Sequence, residues 1–151
     1  MSEKEGFIRQ FREVQPKFTR FFAQRLARAR LSLPQFALLT QLVDRDRVSM
    51  TEVSRKLHIS KPAVTHLADR LEKNKFLKRL AHPHDRRVSP LQILPKGERL
   101  VRAVQAEALG VLLKTLEAFN AEEKGTVSRF YGRLSQMLDR ALAETKKRQK
   151  K

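Results

Sequence analysis

The chain has no cysteine, no tryptophan and only five glycines among 151 residues. Without thiols it forms no disulfide, no thiolate zinc centre and no cysteine-based redox sensor. That usage fits a reducing compartment. The few glycines make no Walker-type phosphate loop. No apolar run approaches the roughly 20 residues a membrane-spanning helix needs. The opening residues, MSEKEGFIRQFREV, are charged and periodic, unlike a secretory signal. A cytoplasmic protein is expected, with no membrane partner. Acidic residues are also scarce: 16 Asp and Glu stand against 33 Lys and Arg, for a formal net charge of +17. A charge of that size repels itself on folding, so an acidic partner is the natural expectation. Nucleic acid ranks ahead of an anionic membrane surface and of a role in solubility alone.

What is present is mostly helical periodicity. Phe7, Ile8, Phe11, Val14, Phe18, Phe21, Phe22 and Leu26 recur at steps of three and four. That spacing puts them on one helix face. Pro16 interrupts the stripe and leaves two possibilities, one kinked helix or a short arm followed by a helix. Four helix starts follow: SLPQ from Ser32, SMTE from Ser49, SKPA from Ser60 and NAEE from Asn120. In each, a side-chain oxygen can accept from an amide that lacks an intrahelical partner, and SMTE has the form of a capping box. The pattern predicts helices over about 7–30, 33–44, 50–57, 61–74, 96–117 and 121–147. Between the fourth and fifth, FLKRLA and VSPLQIL flank HPHDRR, which predicts a β-hairpin. Pro90 either confines the second strand to an edge or shortens it. The final KKRQKK is a basic tail over 146–151. The fold class is therefore mainly α, with one hairpin and no internal repeat.

The third and fourth helices are separated by only a few residues. With Val64 at the centre of a buried face, Leu67, Ala68 and Leu71 fall beside it, as does Lys75 at the end. Val53, Leu57 and Ile59 feed the same core. Pro62, Thr65, His66, Asp69, Arg70 and Lys73 fall on the outer face. A short helix packed across a longer one with a polar outer face is a helix-turn-helix arrangement. Such a helix fits the DNA major groove, where base edges present distinct donors and acceptors. The candidate contacts from this helix are Ser60, Lys61, Pro62, Thr65, His66 and Arg70. The hairpin tip adds Asp85, Arg86 and Arg87. A guanidinium there can enter a minor groove or bridge its phosphates, with Asp85 holding Arg87.

From LSLPQFALLTQL through SMTEVSRKLHISKPAVTHLADRLEKNKFLKRL to HPHDRRVSPLQILPKG, the chain resembles MarR-type winged-helix transcription factors. The resemblance covers about 31–97. It implies one domain over 1–151, with a winged DNA-binding lobe at about 31–97. It also implies dimerisation helices at about 1–30 and 98–147, intertwined in a homodimer. The implied function is binding to a pseudo-palindromic double-stranded operator, usually as a repressor. A small, often aromatic or phenolic ligand between the dimerising and DNA-binding parts would weaken that binding. The family's Asp-x-Arg wing motif falls on Asp85 and Arg87. Three positions depart from the family pattern. Lys75 replaces the glycine that commonly ends the recognition helix, and Asn74 is expected to take the left-handed cap instead. Pro95 replaces a capping Thr, and Pro90 lies in the second wing strand.

No Ser-His-Asp order or paired-carboxylate site stands out, so the chain is not expected to be an enzyme and no cofactor is expected. His82, His84 and Asp85 could contribute metal ligands, but no thiolate or other local ligand completes a set, and no metal is expected. The rival is an architectural or weakly specific DNA-binding protein without a regulatory ligand, which the excess basicity and the KKRQKK tail favour.

Overall fold

The structure, a computed structural model, describes residues 2–81 and 89–148. In chain order it comprises α1 (Glu3–Arg28), α2 (Leu33–Thr40), α3 (Met50–Leu57), α4 (Lys61–Lys73), β1 (Leu77–Arg79), β2 (Leu91–Ile93), α5 (Pro95–Leu116) and α6 (Ala121–Arg148). The predicted elements are all there, with shifted ends. α1 begins four residues earlier than the apolar stripe because Ser2 and Glu5 form a capping box. It runs unbroken through Pro16, which selects the single helix over the arm plus helix. α2 stops at Thr40 rather than 44, and the chain continues in turns to a left-handed Asp44 with φ 60°.

The caps follow the sequence with one exception. Ser32 and Gln35 cap reciprocally, as do Asn120 and Glu123. Ser60 accepts from the Ala63 amide at 3.3 Å. Ser49 accepts from the Glu52 amide, but the Glu52 carboxylate does not reach back. It takes a 2.7 Å hydrogen bond from Arg45 instead, so the expected box at Ser49 is only half formed. A charged partner outcompetes the backbone amide for that carboxylate.

The scarcity of glycine leaves its mark at chain reversals. Arg30, Asp44, His58 and Lys75 all have positive φ. Each costs about 1–2 kcal/mol relative to an ordinary conformation, so the surrounding packing holds these turns. At the end of α4 the left-handed residue is Lys75 itself, with φ 59°, and not Asn74, whose φ is −92°. Lys75 thereby turns away from the core and is exposed. Asn74 serves the helix end in another way, donating from Nδ2 to the Arg70 carbonyl at 2.9 Å.

The core lies between α2, α3, α4, the start of α5 and the small sheet. Leu38, Leu39, Leu42, Val53, Val64, Ala68, Leu71, Leu77, Leu91 and Val101 are fully buried. Full burial of a Leu or Val is worth about 1.5–3 kcal/mol each, and this cluster fixes α4 from behind. β1 and β2 pair antiparallel, Leu77 opposite Ile93 and Arg79 opposite Leu91. Leu80 donates to the Pro90 carbonyl at 2.8 Å, but Pro90 has no N–H to return. Among the described residues the ladder ends there, so Pro90 shortens the strand. It does not leave Leu91 at an edge, because Val48 exchanges both backbone hydrogen bonds with Leu91 on the far side. The one tight glycine is Gly97: a Cβ there would lie 2.3 Å from the Phe76 carbonyl oxygen. Its bare backbone lets α5 start against the entry to β1.

Candidate nucleic-acid interface

α4 presents two opposite faces. Val64, Ala68 and Leu71 are buried and Leu67 packs against the same cluster. Ser60, Lys61, Pro62, Thr65, His66, Asp69, Arg70 and Lys73 are exposed. The division follows from the 3.6-residue period, and every outer-face residue expected from the sequence lies on the outer face. The turn before α4 is fixed by Ser54, which is buried and donates from Oγ to the Ile59 carbonyl at 2.6 Å. His58 takes the left-handed conformation and Ile59 drops into the core. The start of α4 is thus held by a cap, a turn and a hydrophobic anchor.

The outer face is cationic at its ends and uncharged at Thr65, with one carboxylate, Asp69, which is paired with Arg79. Lys61, Arg70 and Lys73 have no ion pair among the described residues. Thr65 donates its hydroxyl to the Lys61 carbonyl at 3.1 Å and keeps its acceptor lone pairs outward. His66 has two ring nitrogens able to donate or accept. Such a set can contact both phosphates and base edges. Asp85, Arg86 and Arg87, the expected hairpin contacts, lie outside the described residues, as do His82 and His84.

Two basic residues at this interface escaped the sequence reading. Arg79 in β1 turns toward α4 and donates to Asp69 Oδ1 and Glu72 Oε2, both at 2.6 Å. Burial opposes its charge, but hydrogen bonds to Asp69 and Glu72 outweigh this and hold its pKa above the usual value. Lys96, at the start of α5, donates to the Asn74 carbonyl at 2.9 Å and lies 4.3 Å from the centre of the Phe76 ring. It thereby caps the C-terminal end of α4, where carbonyls lack partners. A signal for Arg79 was available. Strand alternation puts residues 77 and 79 on one face, and an arginine beside a buried Leu calls for a carboxylate partner.

The outer helices carry a different kind of surface. Phe7, Phe11, Val14, Phe130, Leu134, Met137, Leu138 and Leu142 are exposed. Phe7 meets Phe130 edge to face at 5.7 Å, joining α1 to α6. Between them lies an open cavity of about 700 Å³ lined by aromatic and aliphatic side chains that include Phe11, Phe18, Phe22 and Leu33. Among the described residues no helix is long and apolar enough to cross a membrane, and none form a metal-ligating group of three or more.

The sequence profile of the MarR family matches residues 31–89, the segment that carries the paired helices and β1. The chain is 34% identical over 90 residues to YsmB of Bacillus subtilis (strain 168), an uncharacterised HTH-type transcriptional regulator. That match spans 60% of this chain and 62% of YsmB. It is 32% identical over 117 residues to YfiV, an uncharacterised HTH-type transcriptional regulator of the same organism, covering 78% of this chain and 71% of that one. A solved MarR family protein from Bacillus stearothermophilus superposes with a TM-score of 0.72 at 26% identity, over 91% of this chain and 98% of the other. Streptococcus pneumoniae FabT, solved in complex with DNA, shares the fold with a TM-score of 0.68 at 19% identity, over 87% of this chain and 99% of FabT. With its helix-turn-helix, its hairpin and its outer helices all in that arrangement, the chain belongs to the MarR family of transcriptional regulators.

Proposed function

We propose that the protein is a cytoplasmic, sequence-specific regulator that binds a pseudo-palindromic double-stranded operator as a homodimer and represses from it. The observation that carries this is the outer face of α4. It is rigidly backed by a fully buried core, and its exposed cations have no ion pair among the described residues. Lys61, Arg70 and Ser60 meet phosphates, while Thr65 and His66 meet base edges in the major groove. Pro62 lies in the first turn of α4 and brushes the groove wall. Asp85, Arg86 and Arg87 extend the contact to the minor groove, with Asp85 orienting Arg87. The basic tail at 146–151 adds affinity without reading sequence.

Dimerisation rests on the outer helices. Phe11 is 58% exposed and Met137 60% exposed, and a lone subunit would leave these apolar faces in water. A second copy related by a two-fold axis covers them and sets two α4 helices toward one duplex. A small aromatic or phenolic ligand at the junction of the outer helices with the lobe completes the proposal. The junction is aromatic: Phe22 of α1 and Phe36 of α2 have ring centroids 6.2 Å apart. Such a ligand would release DNA by shifting the lobes relative to one another.

The test is footprinting on DNA upstream of the protein's own gene, with selection from a random-sequence pool alongside. Discrete protection with two-fold symmetry is expected. Diffuse protection with no enriched sequence would point to the architectural alternative.

A further inference from the structure

Arg79 ties β1 to α4 through both its side chain and its backbone. Its guanidinium reaches Asp69 Oδ1 and Glu72 Oε2, and approaches the Thr65 carbonyl at 3.4 Å. Its amide donates to Glu72 Oε1 at 2.9 Å, on the side of β1 away from β2. Positions 65, 69 and 72 follow one stripe along two turns of α4. A single rigid fork therefore spans the stripe next to the outer face and ties it to the hairpin.

The two carboxylates have a consequence of their own. Asp69 is 58% exposed, on a surface proposed to meet phosphates. Left unpaired, Asp69 and Glu72 would repel the duplex. Held by Arg79, their charge is partly neutralised, and the planar guanidinium also fixes where each one points.

We propose that Arg79 is a positioning residue for DNA reading: it sets the rotation of α4 relative to the hairpin and partly offsets the charge of two carboxylates that would otherwise repel the duplex. This rests on the reading role of α4 argued above. Arg79 touches no base in this account and acts through Thr65, Asp69 and Glu72. It makes discrimination between sequences depend on a residue outside the recognition helix.

The probes are a duplex enriched by the wild-type protein from a random-sequence pool and a scrambled duplex of the same composition. Affinities for both are read by fluorescence anisotropy at fixed salt, beside the melting temperature of each variant. Arg79→Ala is expected to lower affinity for the selected duplex about tenfold, or about 1.4 kcal/mol, and to shrink the ratio between the two duplexes. Adding Asp69→Asn and Glu72→Gln should restore affinity for scrambled DNA, because the repulsion is gone, but not the ratio, because the helix is still untied. Arg79→Lys keeps the charge without the fork, so it should hold scrambled affinity and lose part of the ratio. A purely structural arginine would lower the melting temperature and leave the ratio alone.

Should Arg79→Ala not fold, Arg79→Lys and Asp69→Asn carry the test, and each must lower the ratio by about threefold or more. An unchanged ratio in the folded variants overturns the positioning role. Failure of the wild-type protein to enrich any sequence would overturn the reading role of α4 instead. Arg79 would then stand or fall on scrambled DNA, where Arg79→Ala must weaken binding and the two amide substitutions must restore it.

Discussion

The lobe built on α4 and the outer helices α1 and α6 solve the same amphipathic problem in opposite ways. In the lobe, Leu71, Val64 and Leu38 have no exposure, and the face of α4 left over is polar. In the outer helices, Phe11, Met137 and Leu138 are more than half exposed. Both regions are helical, and both have a clear apolar stripe. The difference is the number of neighbours the chain itself supplies. α4 is surrounded by α2, α3 and β1, so its stripe is satisfied within one subunit and its polar face is free for a ligand. α1 packs Phe22 and Leu26 of its stripe against the lobe, but the first half of that stripe meets α6 at contacts such as Phe7 to Phe130 and stays largely exposed, as does the stripe of α6. One region leaves a polar, charged face exposed, and the other leaves apolar area exposed; the proposed function assigns the first to DNA and the second to a second copy.

The largest expected effect breaks the outer region alone. Phe11→Glu combined with Met137→Glu should convert a dimer into a folded monomer by light scattering. Losing the second half-site should lower affinity for the selected duplex by about 100-fold or more. A variant that stayed dimeric would put the interface elsewhere. Leu71→Ala attacks the other region and should cost about 2–5 kcal/mol of stability by urea denaturation, since it opens a cavity in a sealed core. A loss below about 1 kcal/mol would mean that the core relaxes around α4 and does not fix it.

Smaller effects sharpen the division within the lobe. Arg70→Ala should weaken binding to selected and scrambled duplexes alike and reduce the slope of log affinity against log salt by about one. A loss confined to the selected duplex would make Arg70 a base reader. The smallest expected effect concerns Glu52, whose carboxyl is held below its usual pKa by its hydrogen bond from Arg45. A depressed carboxylate contributes stability above its unfolded pKa and loses it as pH falls through the folded one. The melting temperature of the wild-type protein should therefore fall more on acidification than that of Glu52→Gln. Parallel curves would leave the Arg45 pair without a net contribution.

The lobe was largely legible because its local signals agree with its packing. Ser32 and Ser60 cap where the sequence put them, and the 3.6-residue period separated Val64 from Thr65 correctly. What stayed hidden depends on neighbours distant in sequence. Glu52 has the spacing of a capping box, and nothing nearby announces that Arg45 takes its carboxylate. Lys75 adopts the left-handed turn although Asn74 has the better intrinsic preference, because Phe76 must enter the core immediately after it. Pairing of Val48 with Leu91 joins segments 43 residues apart and leaves no pattern in either. The Arg79 contacts needed both strand alternation and the helix stripe to be superposed. In the outer helices the stripe alone was legible, and it specified an apolar face without a partner.

In the proposed function, the exposed face of α4 reads base sequence. The direct measurement is repeat selection from a random-sequence pool with His66→Ala and, separately, Thr65→Ala. Each should change the preferred base at one position of each half-site, symmetrically, with a loss on the original duplex of about 1–3 kcal/mol where a good contact is removed. Recovery of the wild-type sequence by both variants, with affinity lowered uniformly or not at all, would show that this face of α4 does not read bases.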